Sequence, residues 1–129
     1  TGALIVIAHK TPLDDIIGTG DRIDAGIHRR LIMNLFFKNS PLHDGALVIS
    51  GDRIIAARCT LPITERKNIP ASYGMRHKAA IGITEETDAD AVVVSEETGK
   101  ISFVKNGNVT PIQNINELKL LLNTSLGEE

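Results

Sequence analysis

Short, wholly apolar runs alternate along the chain with segments of longer period, and the two patterns predict different elements. "ALIVIA" at 3–8 is continuous, apolar and rich in β-branched residues, as expected of a strand covered on both faces. Pro12, Gly18 and Gly20 then supply turn chemistry around a short helix, with Asp14 and Asp15 as a charge pair at its N-terminus. From Ile27 to Phe37 the period lengthens. Ile27, Leu31 and Leu35 recur at i, i+4 and i+8, Ile32 and Phe36 widen the stripe, and Arg29 and Arg30 fall off it, which predicts an amphipathic helix. Pro41 disfavours helical backbone at Ser40 and ends that helix. "ALVIS", "GD" and "RIIAARCTL", from Ala46 on, predict a hairpin turning at Gly51–Asp52.

A polar loop bounded by Pro62 and Gly74 follows, and loops of that length in compact domains are more often functional than idle. Helical character resumes over "MRHKAAIGITEET", with Ala79, Ala80 and Ile83 apolar and Thr84 to Thr87 polar. "DAVVV" at 90–94 predicts a buried strand, and "ISFVK" runs into an Asn106–Gly107 turn. The chain closes on a helix with Asn114 as its N-cap and Ile115, Leu118, Leu121 and Leu122 on one face. Together these elements predict an α/β fold in a single domain: a central mixed β-sheet flanked by α-helices.

Composition narrows the function classes. At 129 residues, 42% hydrophobic and 23% charged, the chain is an ordinary globular domain with room for one core. A net charge of −2 exerts no global pull on nucleic acid, so an anion site must be a local cluster. Aromatic residues at 3% argue against a stacking platform for single strands. The single cysteine, Cys59, excludes an internal disulfide and a thiolate zinc cage, and its plain reading is a small core residue. No apolar run reaches the ~18–20 residues of a membrane span, and there is no signal peptide. The strand-like start without an initiator methionine suggests a piece cut from a longer chain.

Three polar clusters stand beside buried strands or at a helix start: His43–Asp44–Gly45, "GMRHK" at 74–78, and Ser95–Glu96–Glu97. Arg76, His77 and Lys78 place three potential cations in a first helical turn, where the macrodipole already disfavours positive charge. They become favourable if an anion docks among them, and Gly74 would let a phosphate approach the backbone. Asp44, Glu96 and Glu97, with His43, are oxygen and imidazole donors of the kind that hold Mg²⁺ or Mn²⁺. Taken singly, each cluster reads as a turn or a solvated surface. A phosphate cradle combined with acidic metal ligands is instead the chemistry of phosphoryl or nucleotidyl transfer. His9 and His28 are expected to face solvent, and neither a Walker loop nor a Rossmann fingerprint is present.

"GALIVI" at Gly2, "PLHDGALVI" at Pro41, "LP" at Leu61, "GMRHKAAIGITEETDA" at Gly74 and "VVVSEETGKIS" at Val92 together resemble the diadenylate cyclase (DAC, DisA-N-like) domain, in order from about residue 2 to 105. The branch resembled is the membrane-anchored bacterial cyclase. The resemblance implies that residues 1–129 are one catalytic domain, cytoplasmic, from a protein in the bacterial cell membrane with transmembrane helices ahead of the domain. It implies condensation of two ATP into the second messenger cyclic di-AMP with release of pyrophosphate, across a face-to-face homodimer, with no nucleic acid as partner. A divalent ion, Mn²⁺ or Mg²⁺ with Co²⁺ a further candidate, is implied as cofactor.

Carried over position by position, Asp44 would lie near the attacking 3′-hydroxyl, and Gly45 and Ala46 would complete its motif against the ribose. Leu61 would line the adenine pocket. Gly74, Met75, Arg76, His77 and Lys78 would surround the phosphates, with Arg76 and His77 catalytic, and Ser95 and Glu96 would add substrate contacts. His43, Asp44 and Glu97 would be the metal positions. Two departures stand out: the family's usual Gly-Thr-Arg-His-Arg reads Gly74-Met75-Arg76-His77-Lys78 here. Met75 lacks a hydroxyl, and Lys78 lacks the planar fork of arginine. Those departures leave open a catalytically weak domain that senses ATP or cyclic di-AMP. A metal-dependent phosphohydrolase of the His-Asp type fits less well, because its pair belongs on a helix and His43–Asp44 sits at a strand entrance.

Overall fold

A computed structural model describes residues 2–37 and 44–126. Seven strands form one mixed sheet: β1 (Ala3–Ala8), β2 (Asp21–Gly26), β3 (Ala46–Ser50), β4 (Arg53–Cys59), β5 (Asp90–Val94), β6 (Ile101–Lys105) and β7 (Asn108–Pro111). Their spatial order is β2-β4-β3-β1-β5-β6-β7. β1 and β3 pair in parallel, with Ile5 opposite Leu47, and every other neighbouring pair is antiparallel. The helices among the described residues are α1 (Asp14–Ile17), α2 (Arg29–Leu35), α3 (Met75–Glu86) and α4 (Ile115–Leu126). The expected α/β sheet with flanking helices is the architecture observed.

The apolar runs are continuous because the central strands are covered on both faces. Leu4 and Val6 of β1, Ala46 and Val48 of β3, and Ala91 and Val93 of β5 join α3 in one core cluster. The alternate residues Leu47 and Ile49 pack with Leu35 and Phe36 of the α2 segment, and Val92 and Phe103 pack with Leu118 of α4. This is the period-two division of a sheet between two helical layers. α3 buries Ala79 through Thr84, so it has almost no polar side over its middle turns. Thr84, polar in sequence, is fully buried: its hydroxyl donates to the Ala80 carbonyl at 2.9 Å and accepts from Gly107 N–H at 3.0 Å. Gly82 lets the polar loop cross the helix, since a Cβ there would collide with the Pro62 carbonyl.

Several expectations change in detail. β2 occupies residues given only turn chemistry in the sequence. It is an edge strand, exposed at alternate positions, with a register shift between Arg22 and Ala25 and a positive φ of 54° at Asp24. That shift breaks the period-two signal. α2 is shorter than its apolar stripe, and Ile27 lies outside it, exposed. Pro41 falls outside the described residues. The hairpins at Gly51–Asp52 and Asn106–Gly107 and the Asn114 cap form as expected; Asn114 Oδ1 accepts from Glu117 N–H at 2.9 Å.

His9 is the clearest correction. Its side chain is only 4% exposed, and its Nε2 lies 3.0 Å from Asp90 Oδ2. Ser125 of α4 donates to the same carboxylate oxygen at 2.6 Å, and Lys105 Nζ reaches the other oxygen at 3.3 Å. A helix from the far end of the chain closes over the strand end and removes His9 from solvent.

Candidate functional site

The site grows out of one end of the sheet. There the starts of β1 and β3 lie beside the ends of β4 and β5, because the parallel pair runs opposite to its antiparallel neighbours. The three polar clusters are attached to those ends. Asp44–Gly45 enters β3, Thr60–Leu61 leaves β4, Ser95–Glu96–Glu97 leaves β5, and α3 starts alongside at Met75. They enclose a cavity of about 730 Å³ lined by Asp44, Gly45, Leu61, Gly74, Met75, Arg76, His77, Ser95, Glu96 and Glu97, residues far apart in the chain.

Each wall has a local cause. Gly45 has φ +81°, and a Cβ there would sit 2.8 Å from the Arg58 carbonyl carbon. Glycine is therefore demanded by the fold itself, independently of any ligand. Gly74 caps α3 with extended backbone (φ −85°, ψ −170°) and no side-chain bond, and nothing stands within 4 Å of a Cβ built there. The space beside the start of α3 is therefore open at Gly74. Ser95 Oγ accepts from Thr98 N–H at 3.3 Å, and Ser95 N–H donates to Lys100 O at 2.9 Å, which folds the acidic turn back over the cavity.

The electrostatics differ from three cations in a row. Arg76 Nη1 lies 3.0 Å from Glu96 Oε2, with the guanidinium three-quarters buried and the carboxylate mostly exposed. Burial lowers the pKa of His77 below its ordinary 6.5, so the imidazole is predominantly neutral at pH 7. Cys59, on the cavity floor, is pushed up to about 11 by burial and then by the charge of Asp21, and stays a thiol. It is buried, in keeping with the core role expected of it.

Of the expected site residues, Ala46 and Lys78 are not on the cavity wall. Ala46 is fully buried in β3, and Lys78 points its main chain into the loop contact, its carbonyl accepting from Thr64 N–H at 3.1 Å. Of the two departures from the family pattern, Met75 lines the cavity and Lys78 does not. His43 lies outside the described residues. Asp44 and Glu97 share the cavity, yet no group of three or more metal donors forms among the described residues. Sequence reasoning missed Tyr73, Thr60 and Ile63, all on the wall. Tyr73 stacks on His77 with centroids 4.9 Å apart and planes at 15°. Tyr73 precedes the Gly74 cap, outside α3, so no helical spacing in the sequence pointed to this contact.

The family model described as "DisA bacterial checkpoint controller nucleotide-binding" (DAC) matches residues 1–109. The chain belongs to the DAC family. It is 46% identical over 108 residues to a diadenylate cyclase of Listeria monocytogenes and 44% identical to the cyclic di-AMP synthase CdaA of Bacillus subtilis, in each case over 84% of this chain. The chain spans 40% of the length of each of these relatives. Among solved structures, a double mutant of DacA from Staphylococcus aureus superposes with a TM-score of 0.94 at 42% identity, covering 98% of this chain and 84% of that one. A hypothetical membrane spanning protein from Bacillus cereus gives a TM-score of 0.84 at 40% identity, covering 88% and 55%. No helix among the described residues is long and apolar enough to cross a membrane.

Proposed function

We propose that this DAC domain is a diadenylate cyclase, joining two ATP molecules into cyclic di-AMP with release of two pyrophosphates. The observation that carries this is the single cavity gathering Asp44, the Arg76–His77 helix start and the Ser95–Glu97 turn on a DAC fold. Relatives named diadenylate cyclase and cyclic di-AMP synthase support it.

In this reading the triphosphate lies over the α3 N-terminus, where free amides, the macrodipole and Arg76 favour negative charge. His77 donates a hydrogen bond to the α-phosphate oxygens as negative charge builds on them during the transfer. Leu61, buried beside the cavity, presents its main chain to the adenine, and the Ser95 turn closes the opposite wall. Asp44, exposed at the β3 entrance, takes the proton of a ribose 3′-hydroxyl and passes it to water. That oxygen forms a bond to the α-phosphorus of the second nucleotide, and the bond from that phosphorus to the pyrophosphate oxygen breaks. The same exchange, repeated with roles reversed, closes the ring.

Asp44 and Glu97 fit a divalent ion of the Mg²⁺ or Mn²⁺ kind, with Co²⁺ a further candidate, because such ions are held by one or two carboxylates and substrate phosphates. When bound, the ion supplies neutralisation of phosphate charge. One cavity serves one nucleotide, so a homodimer with two cavities face to face brings both exchanges together. We read the domain as the cytoplasmic part of a longer, membrane-anchored protein; the B. cereus neighbour's description as membrane spanning supports the anchor. Membrane fractionation of the full-length protein checks this.

Mass spectrometry of the product from purified domain, ATP and Mn²⁺ tests the chemistry. Cyclic di-AMP is expected, and Asp44→Asn is expected to lower its rate by at least about 100-fold, the usual contribution of a positioned base. A wild-type domain that makes none with Mg²⁺, Mn²⁺ or Co²⁺ overturns the reading.

A further inference from the structure

His77 is not placed by its helix alone. The turn from Pro70 to Tyr73 is closed by Tyr73 N–H donating to Pro70 O at 3.0 Å, which sets Tyr73 immediately before the Gly74 cap. Tyr73 is half-buried and packs against the main core cluster, while its ring stacks on the imidazole. Nearly parallel rings at that separation form an offset stack, a preferred aromatic geometry. Because the tyrosine ring touches both the core and the imidazole, it ties the His77 ring plane to the rigid body of the domain.

We propose that Tyr73 is a positioning residue that fixes the His77 imidazole for the phosphate-transfer step, an inference that rests on the cyclase reading for its catalytic half. Arg76 is held separately by Glu96. Loss of the Tyr73 ring therefore leaves ground-state phosphate binding largely intact and falls on the step that needs an aligned imidazole. The stack also covers one face of His77 from water, in keeping with its lowered pKa. Besides Tyr73 itself, the ionisable groups sharing the cavity with His77 are Asp44, Cys59, Arg76, Glu96 and Glu97, with Lys78 its chain neighbour, and none of these is replaced by substitution at 73.

The experiment compares wild type, Tyr73→Phe and Tyr73→Ala. In the nucleotide-free domain, NMR titration of the His77 ring is expected to give a midpoint below 6.5 in wild type and Tyr73→Phe, moving up in Tyr73→Ala. With ATP, Tyr73→Ala is expected to lose about 2- to 10-fold in kcat, the stacking increment converted to a rate. KM should change by less than about twofold, and Tyr73→Phe should match wild type within about twofold. If Tyr73→Ala does not fold, Tyr73→Leu, which keeps apolar cover without a ring, is read in its place. Unchanged His77 midpoint and kcat on loss of the ring overturn the proposal, as does a Phe variant as impaired as the Ala variant. A wild-type domain that makes no cyclic di-AMP overturns the cyclase reading instead, and the titration still decides whether Tyr73 sets His77.

Discussion

Gly45 follows Asp44 directly, so its backbone aims the carboxylate, and its φ of +81° is one that residues with a β-carbon rarely adopt. Gly45→Ala is expected to cost at least about 2 kcal/mol, from strained backbone and the collision with Arg58 together. Urea unfolding checks it, and a variant as stable as wild type would refute the stated role. Some residue roles were legible in the sequence and some were not. Asp44, Arg76 and Glu96 announce themselves because a charge beside an apolar run is costly without a partner. His9 gave no such signal. Its burial depends on Ser125, 116 positions away, and no local pattern encodes a contact of that span. The role of Gly45 was half legible: its place in the motif was visible, but not the close approach of β4 that forbids a side chain.

At the scale of elements, α4 shows how a polar contact can seat an amphipathic helix. Its apolar face is thin, with Leu118 buried and Ile115 and Leu120 exposed. Its last turn is anchored by the Ser125 hydroxyl on Asp90. Ser125→Ala removes one of the bonds to a buried carboxylate and is expected to cost about 1–3 kcal/mol. Thermal unfolding measures the loss, and amide exchange should rise in α4 before it rises in β1 or β5. The elements read most readily from sequence were the buried strands and the hairpin turns, where composition and turn chemistry agree. β2 was missed because an exposed edge strand with a shifted register has no buried face, and Ile23 and Ala25 alone are too short an alternation to mark it. α3 was read from Ala79, Ala80 and Ile83 set against polar Thr84 to Thr87, although burial of Thr84 means that the division between apolar and polar sides was not where the sequence put it.

Over the whole molecule, the sheet separates two polar centres. One end carries the cavity; the other carries His9, Asp90, Lys105 and Ser125, which fasten the strands and α4 together. Stability concentrated at one end leaves the other free to be shaped for a ligand. The proposed chemistry needs two such cavities to meet, so cyclic di-AMP formed per domain is expected to rise with domain concentration until dimers saturate. A rate per domain independent of concentration across the monomer–dimer transition, followed by sedimentation, would count against the face-to-face arrangement. The entry to β1 adds a matter of clearance. Gly2 is buried against Arg76, and a Cβ there would come within 2.5 Å of Nη1. A side chain at residue 2 would have to displace the guanidinium end of Arg76, so glycine at the entry to β1 leaves that side chain the space it occupies beside the cavity.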